Sequence, residues 1–111
     1  MIDIDGLRAL RTRLDRDRAT IFQGWPADPG VRDACWRALE GGVDALIALG
    51  PDAPGPAIEG GLRRLVQSFA AINDGSFEKP EREDLCKVLY EVGSLCGVDA
   101  ATEWVEAYRT W

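Results

Sequence analysis

Five stretches of the chain repeat apolar residues at spacings of three, four and seven, and none alternates them one by one. Such spacing stacks side chains on one face of a helix, whereas a half-buried strand needs period two. The pattern therefore dictates an all-α, bundle-like fold. One domain spans residues 1–111, with helices over about 5–22, 29–49, 56–72, 80–96 and 100–111. With 46% hydrophobic and 29% charged side chains, a chain of 111 residues can bury a core without metal or disulfide staples.

The punctuation agrees with the stripes. Leu7, Leu10, Leu14 and Ile21 mark the first helix, with Asp3 or Asp5 as its cap. Asp28-Pro29 reads as N-cap and first position of the second helix, and Gly50-Pro51 ends it. Pro80 opens the fourth helix, Gly97 closes it, and Asp99 caps the fifth. Ala38–Ile47 and Ala57–Val66 echo each other at an offset of nineteen, each carrying a Gly-Gly pair. Two glycines inside a helix cost about 2 kcal/mol relative to alanines. The pairs therefore signal either a kink or a close approach by a neighbouring helix.

Composition removes several chemistries. There is no histidine, which takes away the commonest general base and metal ligand. Cys35, Cys86 and Cys96 have no C-x-x-C spacing and read as buried thiols of a reducing cytoplasm. Cys86 and Cys96 lie about 15 Å apart along one expected helix, too far to bridge. No glycine motif for nucleotide phosphates is present, and no cofactor is expected. No apolar run is long enough to span a membrane, and the N-terminus lacks a signal-peptide pattern. Asp17 interrupts the first stripe and is the one carboxylate with a pattern-based claim to an acid–base role.

Formal net charge is −6, and residues 74–106 account for it, with nine acids against three bases. The arginines of the first helix, among them Arg8, Arg11 and Arg18, are interleaved with Asp15 and Asp17. Nucleic acid is therefore disfavoured, and a basic protein partner approaching the C-terminal third is favoured. Candidate contact residues are Glu81, Glu83, Asp84, Glu91, Glu103 and Glu106, with Trp25, Trp104, Tyr108 and Trp111 as aromatic anchors. The stripe Trp104, Tyr108, Trp111 either docks the last helix on the bundle or forms an exposed patch.

The run Glu78-Lys79-Pro80-Glu81-Arg82-Glu83-Asp84 and the end Trp104-Val105-Glu106-Ala107-Tyr108-Arg109-Thr110-Trp111 sit in a small acidic helical chain. In composition and architecture it resembles the immunity proteins of bacterial toxin–immunity pairs. That resemblance implies a non-enzymatic inhibitor that occludes a basic toxin surface. Two alternatives stay open: a structural or regulatory homo-oligomer joined through the aromatic stripe, and a small ligand-binding bundle using Asp17.

Overall fold

The computed structural model describes residues 2–18, 22, 29–73 and 77–111. It contains helices α1 (Ile4–Arg16), α2 (Pro29–Leu49), α3 (Gly55–Asn73), α4 (Lys79–Leu95) and α5 (Trp104–Tyr108), with a 3-10 turn at Ala100–Thr102. No strand occurs among the described residues. The all-α single-domain expectation holds. Expected positions Ile21, Trp25 and Asp28 lie outside the described residues.

The stripes form one core. Leu7, Leu10 and Leu14 of α1 meet Leu39, Val43 and Leu46 of α2, Leu62, Val66 and Phe69 of α3, and Leu85, Leu89 and Val92 of α4. Asp3 caps α1 by accepting from Gly6 N at 2.9 Å. The chain before α1 is tied down by Asp3 N donating to Leu95 O at 2.7 Å. Gly50 leaves α2 with φ 85, a conformation open to glycine without strain. Gly97, at φ 83, closes α4 in a Schellman turn: Val98 N donates to Gly93 O at 2.8 Å and Gly97 N to Ser94 O at 3.1 Å.

α2 is one unbroken helix, so its Gly-Gly pair does not interrupt it. The pair instead permits close approach, and the sequence echo explains how. A Cβ on Gly42 would collide with Leu65 of α3, and one on Gly61 would lie 2.9 Å from Leu46 Cδ2 of α2. Each echo thus supplies a glycine that receives the other echo's leucine, a reciprocal contact between antiparallel helices. Gly41 is different. Among the described residues nothing lies within 4 Å of the place its Cβ would occupy. Glycine there costs about 0.5–1 kcal/mol relative to alanine, and no internal contact offsets it.

Two corrections concern helix ends. The first helix stops at Arg16, and Asp17 is its C-cap, paired with Arg16 at 3.1 Å. A half-exposed, ion-paired carboxylate of this kind is not the dry acid that acid–base work requires. The continuous helix expected over 100–111 is not formed. Asp99 caps only a 3-10 turn, accepting from Ala101 N at 2.9 Å, and Glu103 then adopts φ 53 in the left-handed region. α5 lasts from Trp104 to Tyr108, and Arg109 leaves it extended at ψ 131.

Candidate functional site at the α3–α5 groove

The acids expected on a single binding face are sorted by packing into different roles. Glu81 is fully buried. As the third residue of α4 it accepts from Glu78 N at 2.7 Å, satisfying an N-terminal amide that has no partner within the helix. It therefore is not a surface contact residue. Removing it by Glu81→Ala leaves that amide unpaired beside a cavity, with an expected loss of about 1–2 kcal/mol in chemical denaturation. Glu81→Gln keeps an acceptor and is expected to recover most of the loss.

Glu91 pairs with Arg13 of α1 at 2.6 Å, and Glu106 with Arg109 at 2.6 Å. Glu83 lies 3.9 Å from Lys79. Asp84 is exposed on α4, in a shallow groove lined also by Arg13, Asp17, Phe22 and Lys87. Glu103 is exposed at the turn before α5. The aromatic stripe is also divided. Trp104 lies against Gly93 and stacks edge-on to Tyr90 at 5.9 Å. Trp111 crosses to the far side, donating from Nε1 to Val66 O at 2.8 Å and packing on Phe69 and Phe77. At 7% and 8% exposure both tryptophans are core, while Tyr108 between them is half-buried.

The packing creates a concave site the sequence does not announce. A groove of about 610 Å³ runs between the start of α3, the turn after α4, and α5. Its walls are mainly apolar: Pro56, Ile58, Leu62, Val98, Trp104 and Tyr108. Its polar elements are few. Tyr108 donates its hydroxyl to Glu59 Oε1 at 3.0 Å, and Arg63 lies over the Tyr108 ring at 4.9 Å while pairing with Glu59 at 3.4 Å. Trp104 Nε1 is buried with no hydrogen-bond partner among the described residues. Glu59, Ile58 and Val98 had no local signal, because α3 meets the α4–α5 turn only through the tertiary fold. Tyr108 and Trp104, expected as aromatic anchors, both line this groove.

The other half of the molecule neutralises itself. Arg11 meets Asp15 at 2.9 Å, Glu40 at 2.7 Å and Asp44 at 3.0 Å. Burial opposes its charge, but the three carboxylates outweigh burial and hold it ionised. Arg18 pairs with Asp33 at 2.6 Å and lies 4.0 Å over the ring of Trp36, whose Nε1 donates to Leu14 O at 3.0 Å. Arginines so engaged are poorly placed to hold phosphates.

Burial pushes the Cys35 thiol up from 9.0 to about 12, with the nearby charge of Glu81 adding to the effect, and pushes Cys96 up to about 11. Cys86 is only half-buried, and burial raises it too. Neutral-pH alkylation is expected to label Cys86 first and to reach Cys35 and Cys96 only on unfolding. As pH rises above about 9 the unfolded chain releases thiol protons that the fold retains, so stability should fall between about pH 9 and 12. Mass spectrometry after timed alkylation and denaturation curves across that range check the pair of outcomes.

No helix among the described residues is long and apolar enough to cross a membrane. No group of three or more Cys, Asp or Glu among them is placed to hold a metal ion. No family model, curated protein or solved structure matches the chain.

Proposed function

We propose that this chain is a non-enzymatic cytoplasmic protein-binding module that seats an apolar side chain of a basic partner in the α3–α5 groove. The observation that carries it is the groove itself, with apolar walls and few polar groups. The sequence suggested tryptophans projecting into a partner. The reading supported now is the reverse, a partner side chain inserting beside Trp104 and Tyr108. Glu59 stands at the rim, and Glu83, Glu103 and Glu106 add the long-range field that speeds encounter. Occlusion of a basic toxin surface, as in bacterial immunity proteins, is the form of this activity the class resemblance favours.

The test compares wild type with two variants in affinity capture from host lysate at low and high salt. Val98→Arg fills the groove and adds a like charge to it. Glu83→Lys with Glu103→Lys reverses two exposed acids without touching the core. A basic protein held by wild type and weakened by salt should be lost with the first variant. It should associate about tenfold more slowly with the second. Equal capture by all three proteins contradicts the proposal.

A further inference from the structure

We infer that the partner side chain seated in the α3–α5 groove is an arginine, with its methylene stem against the apolar walls and its guanidinium on Glu59. The inference rests on the proposed function and names what that site recognises. Among the residues that line the groove, Glu59 is the only one charged at neutral pH. Tyr108 lines it as a hydroxyl donor, and burial pushes the Cys96 thiol up to about 11. α4 ends and α3 begins at the groove, so their dipoles oppose each other there and Glu59 sets the sign. An apolar trough with one carboxylate at its rim suits a long side chain that is apolar along its length and cationic at its tip.

Two details of Glu59 point to such a cation. The hydrogen bonds it accepts, from the Tyr108 hydroxyl at 3.0 Å and Arg63 Nη2 at 3.4 Å, both go to Oε1. Oε2 accepts none among the described residues, and the side chain is 58% exposed, so a second cation can reach it. The Tyr108 bond meanwhile holds the carboxylate at the rim, so less side-chain freedom is lost when a partner arrives.

The second detail is Arg63, which shows that this place takes a guanidinium. Its Cζ lies 4.9 Å over the Tyr108 ring while its Nη2 pairs with Glu59. That pair is long, half-exposed and formed within one helix, a weak contact that leaves the carboxylate able to bind again. Arginine suits the groove better than lysine. An ammonium is strongly hydrated and carries three donors, whereas the groove offers one free carboxylate oxygen. A guanidinium is flat, more weakly hydrated and stacks on aromatic faces.

Nuclear magnetic resonance titration of the purified full chain tests this with two probes. One is N-acetyl-arginine methylamide. The other is its citrulline counterpart, which has nearly the same shape and no charge. The arginine analogue should move the backbone signal of Val98 and the indole N–H signal of Trp104 with a dissociation constant of about 1 mM, and the citrulline analogue should bind at least about tenfold more weakly. Glu59→Gln keeps an oxygen for the Tyr108 hydroxyl and should erase that difference. Equal affinity of wild type for the two analogues overturns the inference. So does a Glu59→Gln protein that keeps the preference, or groove signals that stay still at about 20 mM arginine analogue. The proposed function fails on a different result, capture of the partner by Val98→Arg as strongly as by wild type.

Discussion

Replacing Trp111 by alanine is expected to remove about 3–5 kcal/mol of stability, the range for truncating a buried large aromatic. For a domain of this size that lowers the melting temperature by roughly 15–25 °C. Trp111 lies beyond α5, yet its ring is 5.7 Å from Phe69 and 5.9 Å from Phe77, both edge-on, and its Nε1 bonds Val66 O. Arg109 covers it at 5.3 Å. The substitution therefore opens a cavity between α3 and the start of α4 and leaves a carbonyl short of a donor. Trp111→Phe keeps most of the ring contact and loses the hydrogen bond, so it should fall about 1–2 kcal/mol below wild type. Thermal unfolding followed by circular dichroism ranks the three proteins. A Trp111→Ala protein within 1 kcal/mol of wild type would mean the extended tail is not docked.

Gly93→Ala carries the second large effect, and its sign opposes helix propensity. In an exposed helix the change would stabilise by about 1 kcal/mol. Here the new Cβ would lie 2.5 Å from Cζ2, 2.7 Å from Cε2 and 2.8 Å from Nε1 of Trp104. An indole is rigid, and this one rests on α4 against Gly93 and the edge of Tyr90, so it must leave its seat. We expect a net loss of about 2–3 kcal/mol, with a red shift of tryptophan emission as Trp104 moves toward water. Shortening the displaced group should relieve the clash, so Gly93→Ala should cost less in a Trp104→Leu background than in wild type. The difference between the two costs measures the contact. A more stable Gly93→Ala protein would contradict the packing described. Because Trp104 walls the α3–α5 groove, the same substitution is expected to weaken partner capture.

These two residues also mark where the sequence is readable and where it is not. Core positions such as Leu39, Leu62 and Leu89 follow from periodicity alone, because burial of one helical face imposes it. Gly50 and Gly97 announce helix ends through the left-handed backbone they allow. Past Asp99 the local signals stop agreeing with the fold. Trp104, Tyr108 and Trp111 have helical spacing, but tertiary contacts outweigh it: Trp104 needs Gly93, Trp111 needs Val66 and Phe69, and a straight helix cannot reach both. Glu81 looks like a member of an acidic surface run, yet its place three residues into α4 turns it inward as a cap. Gly41 and Gly42 are adjacent and identical in type, and only the neighbouring helix separates a required glycine from an unexplained one. The groove is less legible still. Its walls come from segments some forty residues apart, Pro56–Leu62 and Val98–Tyr108, so no local pattern contains it.

The central claim is that the α3–α5 groove receives a basic partner. The most direct measurement is the association and dissociation of the captured partner with wild type and Val98→Arg across a salt series. The account predicts fast, salt-sensitive association with wild type. With Val98→Arg it predicts binding lost while the melting temperature stays within a few degrees. Binding of a folded Val98→Arg protein at the wild-type affinity would contradict it.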